Sequence, residues 1–138
     1  MVYVTRKIEF SAAHRYHNPA FSAEENRRIF GKCNNPNGHG HNYVLEVTVG
    51  GETDPVTGMV LDLKELKDIL EREIMNRMDH RFLNYEVPEL ADQIPTCENI
   101  AALIWRLLTP KIKKGRLTRV RLWESSDLYV DCYGDGAK

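Results

Sequence analysis

Two alternating stretches of this chain each carry a histidine in step with their apolar side chains, and that coincidence restricts the fold more than any other feature. From Val2 to Ala12, the residues Val2, Val4, Ile8, Phe10 and Ala12 share one parity, broken only by Arg6, while Tyr3, Thr5, Lys7, Glu9 and Ser11 share the other. This is the pattern of a half-buried antiparallel strand. His14 continues the apolar parity. A second strand, from about Asn42 to Gly50, places Tyr43, Leu45, Val47 and Val49 on one face, and His41 lies on that same parity. In His39-Gly40-His41 an extended backbone projects both imidazoles from one face, roughly 7 Å apart, with Gly40 leaving room between them. Imidazoles aimed into a core without partners are costly, and one shared metal ion resolves the cost. Three neutral nitrogens leave a fourth coordination position for water or substrate, the pattern of a catalytic zinc. His14, His39 and His41 are therefore expected to hold one Zn²⁺. His17 reads as an ordinary loop residue.

Residues 14–41 are rich in Asn, Pro, Gly, His and charge and have little periodicity, apart from a short helix near Ser22 to Phe30. A connection of this length is functional or disordered, and its metal-binding side chains favour function. After the turn Asp54-Pro55-Val56-Thr57-Gly58, a helix starts at Asp62. Asp62 and Glu65 resemble a capping box, and Leu63, Leu66, Ile69, Leu70 and Ile74 form its buried stripe. Residues 79–95 read as loop. A second helix starts at Thr96 as N-cap, with Glu98 in the first turn, where the helix dipole favours an anion. Ile100, Leu103, Ile104, Leu107 and Leu108 recur at helical spacing, and Gly115 is read as the C-terminal cap. Strands over about 116–124 and 128–133 end the chain. The expected fold is α+β, a four-stranded antiparallel sheet in ββααββ order with two helices on one face. Its open edges need pairing or cover, which oligomerisation provides.

The 138 residues form one expected domain, 1–138, long enough for a self-sufficient core. A net charge of −1 gives no reason to expect a nucleic-acid or anionic-membrane partner. No apolar run approaches the roughly 20 residues of a membrane span, and the N-terminus lacks the order of a signal peptide. Three cysteines, Cys33, Cys97 and Cys132, suit a reduced, cytoplasmic chain better than a disulfide framework. Cys33 leaves two readings open. It could complete a closed Cys-His₃ structural site, or it could stand free beside the metal as a thiolate base. The lack of a Cys-x-x-Cys pair favours the second.

Phe30-Gly31-Lys32-Cys33-Asn34-Asn35-Pro36-Asn37-Gly38-His39-Gly40-His41-Asn42-Tyr43 resembles the signature of the 6-pyruvoyl tetrahydropterin synthase family. The likeness extends over essentially the whole chain. Phe10 to Arg15 resembles the first zinc-ligand motif, and Met78-Asp79-His80-Arg81 the Leu-Asp-His motif with Met in place of Leu. Thr96-Cys97-Glu98-Asn99-Ile100 resembles a Thr-x-Glu-Asn segment, with Cys97 where many relatives have Thr. Trp123-Glu124-Ser125 resembles the strand bearing a pterin-anchoring glutamate. The resemblance implies zinc on His14, His39 and His41, and proton transfer by Cys33, Asp79 and His80. It also implies a pterin site involving Glu124, with Glu98 and Thr96 in support. The implied substrate is 7,8-dihydroneopterin triphosphate, with Mg²⁺ on the polyphosphate. The implied fold is the tunnelling fold, in which subunit sheets join into a barrel and two trimeric rings form a homohexamer with active sites between subunits.

The nearest alternative is 6-carboxytetrahydropterin synthase, a relative that converts the same substrate with loss of acetaldehyde. Its usual loop has three residues between the cysteine and the paired histidines. The five here, Asn34 to Gly38, favour the pyruvoyl enzyme. A folate-pathway relative with Glu in place of the loop cysteine is disfavoured by Cys33. A zinc-dependent binding module without turnover is disfavoured by Cys33, Asp79 and His80 together.

Overall fold

In the computed structural model, which describes residues 1–134, the two alternating stretches form long paired strands. β1 (Val2–His14) and β2 (His39–Gly51) run antiparallel in unbroken register from Val2↔Gly51 to His14↔His39. β2 begins three residues earlier than its apolar alternation indicates, because the ladder continues through Gly40 and His39 to meet the end of β1. β4 (Arg116–Ser125) pairs antiparallel with β2 and with β5 (Leu128–Cys132). A register shift at Thr48/Val49 marks a bulge in the β2–β4 pair.

The sheet has five strands, not the expected four, in the order β3-β1-β2-β4-β5. The extra strand, β3 (Arg81–Phe82), lies parallel to β1 opposite Ala12 and Ala13. Its two residues are too short to carry a period, so the alternation that reveals the other strands is missing here. The segment read as loop also contains α4 (Leu83–Glu86) and a 3₁₀ turn (Pro88–Leu90).

Four helical pieces precede or surround these elements. α1 (Ala23–Phe30) is capped by Ser22, whose hydroxyl accepts from Glu25 N–H. α2 (Leu63–Leu70) starts at Asp62, which accepts from Lys64 N–H, and runs on through a π-helical turn (Glu71–Met75) into α3 (Asn76–Met78). α5 (Cys97–Leu108) is capped by Thr96, whose hydroxyl accepts from Asn99 N–H. Within the expected α2 stripe, Leu66, Ile69, Leu70 and Ile74 are buried, but Leu63 is 41% exposed. It is the first residue of the helix. Gly115 does not cap α5. The helix stops at Leu108, ahead of Pro110, which has no N–H to continue it. Gly115 (φ +70) instead turns the chain into β4, where a Cβ would meet a Val49 methyl at 2.7 Å.

The core lies between one sheet face and the helices. Phe10, Tyr43, Leu45, Val47, Val49, Val120 and Leu122 from the strands pack with Leu66, Leu70, Ile74, Ile100, Ile104 and Leu108 from α2, the π turn and α5. The opposite sheet face is polar. Thr5 bonds Thr48 at 2.8 Å, Trp123 Nε1 donates to Glu46 at 2.6 Å, and Arg121 forks onto Asp131 at 2.7 and 2.9 Å. No helix among the described residues is long and apolar enough to cross a membrane. Ile104 is fully buried in the centre of the core. Ile104→Ala is expected to lower the unfolding free energy by about 2–5 kcal/mol, read as a shift in the urea midpoint at unchanged slope.

Candidate metal centre

The β1–β2 register brings the histidines together. Opposite residues of an antiparallel pair share a face, and His14 stands opposite His39 while His41 stands opposite Ala12. All three imidazoles therefore project from the helix-facing side at one end of the ladder. Their ring centroids lie 4.6–5.1 Å apart, and one nitrogen from each falls within 4.8 Å of the others. Gly38 (φ +71) turns the chain into His39, and a Cβ there would meet the Phe82 ring at 2.7 Å and the His14 carbonyl at 3.0 Å.

The protonation pattern is set from outside the cluster. His14 Nδ1 lies 2.7 Å from the Pro95 carbonyl, an acceptor that requires the proton on Nδ1. The Nε2 lone pair then faces His39 Nε2 at 3.1 Å. Orientation of a metal-binding histidine by a carbonyl behind it is a recurrent device. The Tyr43 hydroxyl, 3.2 Å away, packs against the same Nδ1. Burial holds His14 down at about 4, with the Pro95 bond opposing and the neighbouring imidazoles adding to the depression. Burial likewise lowers His41, against the pull of Glu124 and with His39 adding to it. Both rings thus stay neutral near pH 7, as ligands must. His41 Nε2 is buried without a hydrogen-bond partner. A buried lone pair facing others of its kind fits a cation, so the residues present suit a metal bound through three imidazoles.

Glu124 shares the parity of Val120 and Leu122 on β4 and so reaches the same face. Its Oε1 lies 3.4 Å from His14 Nε2 and 3.3 Å from His41 Nε2. The carboxylate therefore borders the metal position directly, a proximity the sequence alone did not reveal. Cys33, in a 3₁₀ turn (Gly31–Asn34), is partly buried with a free thiol. Burial and the nearby Glu124 carboxylate push that thiol up in the metal-free chain. A bound divalent cation acts in the opposite direction. The Cys33 loop is tied to the segment that follows β1: Tyr16 N–H donates to the Cys33 carbonyl at 2.8 Å, and the Asn34 side-chain amide donates to the Tyr16 carbonyl at 2.8 Å. The Tyr16 ring stands edge-on to His14 at 5.1 Å. Its position was not anticipated, since an isolated tyrosine in an aperiodic loop has no distinguishing pattern.

Asp79 and His80 occupy another place, the outer edge of β1. Asp79 Oδ1 accepts from Ser11 N–H at 2.9 Å, His80 N–H donates to the Ser11 carbonyl at 2.6 Å, and Asp79 Oδ2 meets His80 Nδ1 at 3.0 Å. The Ser11 bond, with smaller contributions from His80, lowers the Asp79 carboxyl. His80 adopts φ +62, the one non-glycine residue with positive φ among those described, and its side chain is 82% exposed. No hydrogen bond or ion pair among the described residues joins this pair to Cys33. Thr96 spends its hydroxyl on capping α5, Glu98 sits in the first turn of that helix, and buried Cys97 donates to the Leu122 carbonyl at 3.4 Å.

Two outcomes follow from this geometry. A histidine held at about 4 in the folded chain and near 6.5 unfolded gives the unfolded state more protons between those values, so stability falls with falling pH. Metal-free protein is expected to lose up to about 3 kcal/mol as pH drops from roughly 6.5 to roughly 4. Urea titrations across that range should show a shallower dependence in His14→Gln. Gly38→Ala, which forces a Cβ onto Phe82 and the His14 carbonyl, is expected to weaken metal binding at least about tenfold, measured by competition with a chromophoric chelator.

Comparison with known proteins agrees with the site. Residues 3–135 match the family model described as 6-pyruvoyl tetrahydropterin synthase. The human 6-pyruvoyl tetrahydrobiopterin synthase is 48% identical over 132 residues, covering 96% of this chain and 91% of that protein. A Rickettsia felis 6-carboxy-5,6,7,8-tetrahydropterin synthase is 29% identical over 149 residues, covering 95% and 99%. The solved structure of the Caenorhabditis elegans 6-pyruvoyl tetrahydropterin synthase superposes with a TM-score of 0.92 at 38% identity, covering 97% of this chain and 96% of that one. With its three-histidine cluster and this whole-length likeness, the chain belongs to the 6-pyruvoyl tetrahydropterin synthase family.

Proposed function

We propose that this chain is a zinc-dependent lyase that converts 7,8-dihydroneopterin triphosphate to 6-pyruvoyl-tetrahydropterin with loss of triphosphate. The observation that carries the reading is the convergence of His14, His39 and His41 beside Glu124 and the Cys33 loop. The relatives at 40–48% identity over 96–97% of the chain carry the pyruvoyl name, whereas the carboxy relative is 29% identical. That contrast, together with the five-residue spacing from Cys33 to His39, favours the pyruvoyl product over the carboxy product. Both products remain distinguishable by mass.

His14, His39 and His41 would hold Zn²⁺, which when bound supplies a Lewis acid that polarises the side-chain oxygens of the substrate and acidifies the adjacent C–H bonds. Glu124 accepts hydrogen bonds from the amino and ring N–H groups of the pterin and so fixes the ring against the metal side of the pocket. Glu98 and Thr96, at the start of α5, support the same ring. Cys33 takes a proton as thiolate, and the Asp79–His80 pair relays protons. Because His80 is exposed at the sheet edge and unlinked to Cys33 within the chain, we infer that this pair serves the metal centre of a neighbouring subunit. That arrangement requires the tunnelling-fold assembly, in which sheets join edge to edge into a barrel and a homohexamer forms from two trimers. The half-buried polar face of β2, β4 and β5 suits a barrel interior. Mg²⁺ would accompany the triphosphate. The reading takes residues 1–138 as one domain acting in the cytoplasm, where its three free cysteines stay reduced.

Incubation of zinc-loaded protein with dihydroneopterin triphosphate, followed by mass identification, tests the reading. Pyruvoyl product supports it. Carboxy product with acetaldehyde transfers the chain to the alternative, and absence of any turnover overturns both. Cys33→Ala is expected to keep stoichiometric zinc and lose turnover by at least about 100-fold. A near-wild-type rate in that variant would remove Cys33 from the base role.

A further inference from the structure

Glu124 carries a carboxylate that nothing in the chain satisfies. Its side chain is 12% exposed, and the only groups that approach it as ion-pair partners among the described residues are two imidazoles, His14 Nε2 at 3.4 Å and His41 Nε2 at 3.3 Å. No Lys or Arg pairs with it there, and no N–H or O–H group donates to it. The imidazoles do not satisfy it either. The Pro95 carbonyl keeps the His14 proton on Nδ1, so Nε2 presents a lone pair to the carboxylate. His41 Nε2 is buried without a hydrogen-bond partner. Acceptor faces acceptor, at a cost that grows with burial. A cation between these atoms makes each contact attractive.

The spacing fits the same cation. Around a tetrahedral zinc with ligand atoms about 2.1 Å from the metal, neighbouring ligand atoms stand roughly 3.4 Å apart. The two Glu124 Oε1 distances, 3.4 and 3.3 Å, and the 3.1 Å between His14 Nε2 and His39 Nε2 are all near that edge length. The three imidazoles form the compact group, and Glu124 meets it along the edge between His14 and His41. The sheet also holds Glu124 loosely. The β2–β4 register ends at Val44↔Trp123, and the β4–β5 register steps from Trp123↔Tyr129 to Ser125↔Leu128. Glu124 is the extra residue of that bulge and has no ladder partner on either side. Bulges beside functional sites re-aim a side chain, and this carboxylate can change its aim with no ladder pair to break.

A pterin substrate supplies the reason to move. Its amino and ring N–H donors lie at one end of the bicyclic ring, and the side chain lies at the other. A carboxylate seated against the metal cannot hold the donor end while the side-chain oxygens reach that same metal. We propose that Glu124 is a displaceable fourth ligand: it closes the zinc of the substrate-free protein and leaves it for the pterin N–H donors when substrate enters, opening one coordination position. The release rests on the substrate proposed above, whereas the ligand role stands on the metal site alone. The exchange keeps the carboxylate partnered in both states. It also withholds an open metal from water and stray anions until a ring with matching donors is seated.

Cobalt(II) in place of zinc tests this, because its visible absorption reports the ligand set without turnover. Wild type and Glu124→Ala are compared with the metal alone and then titrated with 7,8-dihydropterin, which has no side chain at C6 to reach the metal. Without pterin the two spectra are expected to differ, and chelator competition should show zinc held at least about tenfold more weakly by Glu124→Ala. Dihydropterin should move the wild-type spectrum toward that of the variant. Stoichiometric metal in Glu124→Ala shows that its three-histidine site is intact, and the wild-type titration needs no variant. Identical spectra without pterin overturn the ligand role. A wild-type spectrum that stays fixed while dihydropterin binds, followed by its fluorescence, overturns the release. If the spectra differ but dihydropterin does not bind wild type, the pterin reading falls and Glu124 remains a ligand. If the spectra coincide and the pterin triphosphate is turned over, that reading stands and the displaceable ligand falls.

Discussion

The pairing of His14 with His39 across the β1–β2 ladder is the constraint on which the site depends. It arises from main-chain hydrogen bonding over thirteen residues of each strand, anchored by the apolar face that Phe10, Tyr43, Leu45, Val47 and Val49 press against the helices. A strand displaced by one residue would turn its whole side-chain set over. The same force that buries the valines therefore aims the imidazoles, and the site needs no separate scaffold. Pro95, entering α5 from the far side, then selects the tautomer through its carbonyl.

Much of this was legible in the sequence because period-2 alternation and metal-ligand chemistry coincide. Parity alone placed His14 and His41 on the core side of their strands. The caps at Ser22, Asp62 and Thr96 belong to residue types with short side-chain acceptors, and each heads a helix. The features that escaped are those with no periodic signature. β3 has two residues, the π turn preserves an apolar pattern while altering its phase, and the Glu124 approach to the histidines depends on β2–β4 register. Main-chain groups such as the Pro95 and Cys33 carbonyls leave no trace in residue identity. Cys33 is a further case. Its thiol is pushed up in the metal-free chain by burial and by a carboxylate from a strand distant in sequence, which residue identity near Cys33 does not reveal.

Cys33 and the Asp79–His80 pair, the proposed proton-transfer groups, differ in how they are held. Cys33 sits in a loop strapped to Tyr16, just past the end of the first strand, by one main-chain bond and one from the Asn34 side-chain amide. Asp79 and His80 are fastened to both main-chain groups of Ser11, and this fastening supports a left-handed backbone at His80 that costs on the order of 1–3 kcal/mol. Such strain persists only where surrounding bonds over-determine it. The result is an imidazole displayed outward on a rigid mount, oriented by its own neighbouring carboxylate and able to meet a surface beyond the chain.

The π turn at Glu71–Met75 acts as a spacer. One residue more than an α-helix needs is accommodated there. The wider turn takes up that residue, so the rotation of roughly 100° and advance of about 1.5 Å that it would impose on a regular helix are not passed on downstream. Met78 stays in the core and Asp79 reaches the Ser11 amide at 2.9 Å. Losing one residue here would let the turn regularise with the downstream end nearly in place, whereas the same loss within α2 itself would misalign the pair that follows.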